Sequence, residues 1–423
     1  MDIIQSYGFI LIVMAAIFGF VMAWGIGAND VANAMGTSVG SKALTIKQAI
    51  LIAMVFEFAG AYLAGGEVTS TIRKGIIDAT YFIDIPDDLV LGMISALLAA
   101  GIWLAVASFK GWPVSTTHSI IGAIVGFTAV GVSADAVEWS KVGGIVGSWV
   151  VTPAISGVIA YGIFVSADKL IFQTDNPFEK AKRYVPFYMA LAGFIMSLVT
   201  IKKGLKHVGL GLPDAQGYAL AVAIAVGVGV LGVWMINRLK FEKNDTLEHQ
   251  QHNVEKVFAI LMVVTACCMA FAHGSNDVAN AIGPLAAVVS VVSNGGQITS
   301  NATLAPWILP LGGIGIVAGL ALFGHRVIKT IGQGITHLTP SRGFAAEMAA
   351  ATTVVIASGT GLPISTTQTL VGAVLGVGLA RGVSALNFGV IRTILVSWVV
   401  TLPAGACLAI IFFFLLKAIF GVV

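Results

Sequence analysis

The sequence predicts an all-α, polytopic membrane protein of about twelve membrane elements, some of them half-length, built as two homologous repeats. Three observations carry this reading. The chain of 423 residues is 57% hydrophobic and only 10% charged, whereas an ordinary soluble domain carries about 25% charged residues. Its apolar stretches recur at lengths near the roughly 20 residues that a spanning helix needs. A polar motif, Gly27-Ala28-Asn29-Asp30-Val31-Ala32-Asn33-Ala34-Met35-Gly36, returns as Gly274-Ser275-Asn276-Asp277-Val278-Ala279-Asn280-Ala281-Ile282-Gly283, with eight of ten positions identical. A repeat of this length sets the fold before any single element does.

Taken in order, Gly8 to Trp24 is the first span, ending where the motif begins, with a short helix expected over Val31 to Val39. Gln48 to Gly65 is a second span, interrupted by Glu57, and Val90 to Ser108 is a third. Pro113-Val114-Ser115-Thr116-Thr117-His118 then leads into the apolar stretch Ile120 to Val130. That stretch is too short to cross and reads as a re-entrant half-helix. Val142 to Val165 spans again, Asp168 to Arg183 reads as a loop, and Val185 to Ile201 and Tyr218 to Ile236 cross. Arg238 to Lys256 is strongly charged and reads as the linker between halves.

The second half retraces the first. Val257 to Ala272 leads into the second motif, Leu304 to Phe323 spans, and Thr330 to Ile335 echoes Thr71 to Ile76. Pro363 to Gln368 repeats Pro113 to His118, and Ser397 to Thr401 repeats Ser148 to Thr152. The chain therefore divides into a repeat at 1–165, a connecting segment with two spans at 166–256, and a second repeat at 257–423. Asp168 to Arg183 and Arg238 to Lys256 carry four Lys/Arg each. The positive-inside rule puts them on the cytoplasmic side.

Composition excludes several classes. A net charge of +3 spread over loops gives no footprint for nucleic acid. No phosphate-binding loop for ATP is present, so work must come from an ion gradient. Cys267, Cys268 and Cys407 lie in apolar runs without metal spacing and read as small buried hydrophobes. Met1 to Tyr7 holds an acid and no base, so no cleavable signal is expected.

The candidate chemistry lies in three sets of residues. Asp30, Asn33, Asp277 and Asn280 interrupt apolar runs in both halves. A carboxylate there is costly unless it faces a cation, a partner or a polar cavity. Carboxylate and amide oxygens, with carbonyls freed where a helix unwinds, are hard ligands suited to sodium. The plain alternative is that each Asp caps a following helix. Ser115, Thr116, Thr117 and Ser365, Thr366, Thr367 each follow a proline and open a short apolar helix. Free N–H groups and the helix dipole favour an anion there. Glu57 and Glu347 have no acidic counterpart in the other half. Glu57 lies deep in a span and reads as a cation ligand or proton carrier; Glu347, five residues after Arg342, has interfacial pairing as its plain alternative. Arg73 and Lys74 read equally as attractors of an anion and as snorkelling charges. Trp149 and Trp398 read as packing or anchoring residues.

The stretches GANDVANA and GSNDVANAIGP, with PVSTTHSIIGAIVG and PISTTQTLVGAVLG, resemble the inorganic phosphate transporter (PiT) family through both repeats. The resemblance implies inverted repeats, re-entrant hairpins, a homodimer in the lipid of the cell (plasma or inner) membrane, and cation-coupled uptake of inorganic phosphate. By motif position it assigns Asp30, Asn33, Asp277 and Asn280 to the coupling cation or phosphate and the two Ser/Thr triplets to phosphate. It makes Glu57 and Glu347 acids needed for transport. The expected cycle is sodium–phosphate symport by alternating access between the repeats, with no cofactor and sodium as co-substrate. Proton-coupled transport of phosphate or a metal–phosphate complex, or transport of sulfate, is the alternative. Monohydrogen phosphate donates a hydrogen bond that a nearby carboxylate can accept, and sulfate has none to give, which favours phosphate. An intramembrane aspartyl protease using Asp30 and Asp277 would leave the triplets without purpose. A passive anion channel would place carboxylates where they repel the permeant ion. The protein is therefore read as a carrier, not an enzyme.

Overall fold

The computed structural model describes residues 3–204, 211–238, 247–298, 304–331 and 337–422. It contains thirteen α-helices in the order α1 (Ile3–Gly40), α2 (Ile46–Ala64), α3 (Gly66–Lys74), α4 (Pro86–Lys110), α5 (Thr116–Gly131), α6 (Trp139–Ala167), α7 (Pro177–Val199), α8 (Asp214–Arg238), α9 (Leu247–Ser293), α10 (Ile308–Ile331), α11 (Pro340–Gly359), α12 (Thr366–Arg381) and α13 (Phe388–Phe420). Among the described residues there is no strand, only one isolated bridge, Ile77 to Val137. Nine of these helices are long and apolar enough to cross a bilayer; α3, α5, α11 and α12 are not.

Two expectations about the motifs are corrected. The first motif does not break the helix: α1 runs unbroken through Gly27 to Gly36, and α9 runs unbroken through Gly274 to Gly283. In hydrocarbon an unpaired backbone group costs several kcal/mol. The helices therefore keep their backbone paired and present only the Asp and Asn side chains sideways. Glu57 likewise does not interrupt α2, which Thr45 opens with a capping box to Gln48. The charged middle is also more helical than expected. A π-helical turn at Asp168–Phe172 extends α6, α7 begins at Pro177, and residues 247–256 form the start of α9. The echo of Thr71 to Ile76 falls at 330–335, of which 332–335 lie outside the described residues.

Contacts at the helix ends fix the threading. At one end Ile3 N–H donates to Asp87 Oδ2 at 3.3 Å, and Lys417 Nζ stands 3.0 Å from Asp88 Oδ2. Asp78 N–H donates to Ala136 O at 2.9 Å at the same end. At the other end Phe172 stacks on Phe258, Ser341 Oγ donates to Glu255 Oε1 at 2.8 Å, and Arg381 reaches the carbonyl of His337 at 3.4 Å. Both arms of the α4–α5 hairpin therefore meet the first end, and both arms of α11–α12 meet the second. Val90 to Ser108, expected to span, is instead the longer arm of a hairpin that turns back. The turns are made by Gly111 and Gly361, with φ of +67° and +74°, a region only glycine enters without strain. α1 leaves the first end, and α9 arrives at it.

The halves interpenetrate. A Cβ on Gly27 would lie 1.9 Å from Ile316 O, and one on Gly274 would lie 2.2 Å from Glu57 O. α1 thus lies backbone to backbone on α10, and α9 on α2, the close approach that small residues permit between helices in lipid. Gly122 meets Leu402 and Gly372 meets Pro153 in the same way. Each hairpin's returning arm, α5 or α12, is held by the last helix of the other half, α13 or α6.

Candidate functional site

The two hairpin tips meet in the middle of the bundle. Ser115 opens α5 by accepting from His118 N–H, and Ser365 opens α12 by accepting from Gln368 N–H, both at 3.3 Å. Ser119 N–H and Thr369 N–H bond back to the carbonyls of Ser115 and Ser365. The N–H groups of Thr116, Thr117, Thr366 and Thr367 are left without intrahelical partners. Thr117 Oγ1 donates across to Ile364 O at 2.9 Å, so one tip is pinned to the other.

The long helices supply the acids and amides. Thr116 Oγ1 donates to Asp30 Oδ2 at 2.8 Å, and Thr366 Oγ1 donates to Asp277 Oδ2 at 2.7 Å. The amides cross between halves. Asn33 Nδ2 donates to Thr367 Oγ1 at 2.7 Å, and Asn280 Nδ2 donates to Thr117 Oγ1 at 3.2 Å. The outer asparagines hold the hairpins from behind. Asn29 Nδ2 donates to Trp112 O at 2.9 Å, and the Asn276 amide pairs with Ser358 Oγ at 3.1 Å. All ten residues assigned from the motifs to cation or phosphate are brought together, and all are buried. The carbonyls near them belong to the hairpin tips, because the long helices do not unwind.

His273 joins this set without a counterpart in the first motif. Its Nε2 stands 3.0 Å from Asp277 Oδ2 and its Nδ1 stands 3.3 Å from Glu57 Oε1, all fully buried. Single ligand atoms of Asp30, His273 and Asp277 lie within 4.8 Å of one another. Asp30 Oδ1 is buried with no hydrogen-bond partner among the described residues. Three carboxylates (Asp30, Asp277, Glu57) face at most one positive imidazole. Buried charge of one sign is expensive unless it is paired, so the cluster calls for cations or protons from outside. The signal for His273 is nevertheless in the sequence, since an ionisable side chain immediately precedes Gly274 where Ile26 precedes Gly27.

The structure separates the two glutamates. Glu57 joins the centre through His273. Glu347 does not touch it. Glu347 is fully buried and accepts from Thr37, from Ser38 and from Thr265, the last at 2.8 Å. Pairing with Arg342 at an interface is thereby excluded; Arg342 donates to His337 O instead. Trp149 lies against the His118 ring at 3.7 Å between centroids and packs, as expected, away from the acids.

Two hydroxyl-lined helix starts facing each other, flanked by paired Asp and Asn from two continuous helices, form a centre for an anion with cations. A sequence profile of the phosphate transporter family matches residues 26–409. The chain belongs to the phosphate transporter family. It is a transporter and a multi-pass membrane protein, not an enzyme. A protein of Haemophilus influenzae named by inference as a phosphate permease is 58% identical over the whole of both chains. Inorganic phosphate transporter 2-1, chloroplastic, of Arabidopsis thaliana is 43% identical over 94% of this chain and 70% of its own. A solved structure described as the sodium-dependent phosphate transporter superposes with a TM-score of 0.90 at 42% identity, covering 97% of this chain and 99% of that one. The family and the structural neighbour support the all-helical membrane fold.

Proposed function

We propose that this member of the family imports inorganic phosphate by symport with sodium, through alternating access at the centre between its two repeats. The observation that carries the reading is the exchange of partners at the hairpin tips, where Asn33 and Asn280 each hold a threonine of the other half. In this reading Ser115, Thr116, Thr117, Ser365, Thr366 and Thr367 bind phosphate through hydroxyls and helix-start N–H groups. Asp30, Asn33, Asp277 and Asn280 bind sodium, and the unpartnered Asp30 Oδ1 is the first oxygen offered to it. Glu57 and Glu347 are the coupling acids. Co-bound cations lower the cost of carrying an anion through low dielectric. The repeats, at 1–165 and 257–423 with a connecting segment at 166–256, are inverted, a relation supported by α1 and α9 running in opposite senses. The resemblance further implies a homodimer.

A proton-coupled cycle is the second reading, favoured by one observation: an imidazole lying between two carboxylates in a fully buried place. Uptake of labelled phosphate into liposomes holding the purified protein separates the two. Accumulation that needs an inward sodium gradient supports the first reading. Accumulation driven by a proton gradient alone, without sodium, overturns it.

A further inference from the structure

At the first end of the bundle, away from the hairpin tips, a cavity of about 340 Å³ opens between α3, the turn after it, α4 and the end of α9. Its size is that of a small-ligand pocket. The lining is mainly apolar, with Ile77, Ile83, Leu89 and Val291 among its walls, and one charged side chain, Arg73, reaches into it. Arg73 is half-buried, its Nε is shut off from solvent, and that nitrogen has no hydrogen-bond partner among the described residues. Three carboxylates at this end are engaged by other groups, and Asp84, next to Ile83, is exposed to solvent. Asp78 accepts from Thr80, Asp87 accepts from Ile3 N–H, and Asp88 pairs with Lys417. A guanidinium offers a planar fork suited to phosphate oxygens. Besides Arg73 the lining offers a free inorganic ion only the hydroxyls of Thr80, already bonded to Asp78, and Ser290, too few to replace the water it would lose. At the mouth Ile83 is 63% exposed and Tyr81 beside it is 43% exposed. An isoleucine and a tyrosine presented at the end of a membrane bundle suit the level of lipid headgroups.

From these features we infer that this cavity is a binding site for an anionic phospholipid, with the headgroup phosphate on Arg73 and the acyl portion against Ile77, Ile83, Leu89 and Val291. The site is separate from the transport centre, and its one lining cation comes from the first half. In the sequence echo of Thr71 to Ile76, Gly332 stands where Arg73 stands.

The test is native mass spectrometry of the full-length protein recovered from phosphatidylcholine vesicles doped with phosphatidylglycerol. The wild type retains phosphatidylglycerol through delipidating washes, and Arg73→Gln loses about fivefold of it, the scale of one basic residue's attraction for an anionic headgroup. Ala287→Leu, which fills an apolar wall and leaves Arg73 in place, also lowers retention and guards against a folding defect peculiar to Arg73→Gln. Excess inorganic phosphate does not displace the lipid. Equal retention by wild type and both variants overturns the site. Displacement by inorganic phosphate overturns the lipid assignment and makes Arg73 a vestibule for the free anion.

Discussion

Glu57 stands over Gly274 as Ile316 stands over Gly27: in each case the glycine's missing side chain leaves room for the other residue's backbone carbonyl. The same correspondence pairs His273 with Ile26, so the buried His273–Glu57 contact has an apolar twin, Ile26 and Ile316, both fully buried. By the spacing that relates Ser108 to Ser358, Glu347 has Leu97 as its counterpart, and Ser38 has Leu285 by the spacing of the motifs. One scaffold thus accepts both a polar and an apolar filling at two places.

The twin gives a direct experiment. Glu57→Ile or His273→Ile alone strands a buried polar partner and lowers stability by about 3–5 kcal/mol. The double variant, which reproduces the Ile26–Ile316 filling, recovers most of that stability while phosphate accumulation stays lost. Thermal unfolding and liposome uptake read the two effects separately. A double variant less stable than either single one would sink the equivalence.

The exchange at the tips is testable by a double-mutant cycle. Thr367→Val and Asn33→Ala each weaken apparent phosphate affinity about tenfold, the loss expected when a buried polar group loses its partner, about 1–3 kcal/mol. Because they break one bond of 2.7 Å, the combined variant is scarcely worse than either. Additive losses in binding would show that the two residues act independently.

Gly274→Ala places a methyl group 2.2 Å from the Glu57 carbonyl, a backbone atom that cannot step aside. Overpacking of this kind costs about 1–3 kcal/mol, and a fall in melting temperature is expected. Gly147→Ala on α6, where nothing lies within 4 Å, is the control and raises helix stability slightly, since alanine is the better helix former by about 1 kcal/mol. Equal melting temperatures for the two variants would refute the close crossing of α2 and α9.

Ser365 serves as the cap of α12. Ser365→Ala therefore costs about 1 kcal/mol of stability as well as phosphate affinity, and Ser365→Thr, which keeps an acceptor at the cap, restores both. Recovery of neither would show that the hydroxyl's hydrogen bond to Gln368 N–H is incidental.

Much of the site is legible from residues alone. The motif copies place Asp30, Asn33, Asp277 and Asn280, and the triplets place both half-helix starts, because polar residues are too costly in apolar runs to recur at matched points without a task. The state of the long helices is not legible. Glycine and asparagine lower local helix propensity, so Gly27 to Gly36 reads as a break, yet tertiary packing on α10 and the demand for a paired backbone in lipid prevail. Partners of the asymmetric acids are hidden for another reason. His273, Thr37, Ser38 and Thr265 reach Glu57 and Glu347 across separations that only the fold closes, as between Thr37 and Glu347, 310 residues apart. The turning of α4 is hidden too, since its 25 residues would cross a bilayer by length alone.

The interpenetration of the halves also bears on how the chain is made. While the ribosome still holds the second half, α1 has no α10 to receive Gly27, α5 has no α13, and Asn33 has no Thr367. The first half emerges with its backbone grooves open and its amide unspent, in a membrane that offers neither. Its assembly must therefore wait until more than three hundred residues have followed Asn33.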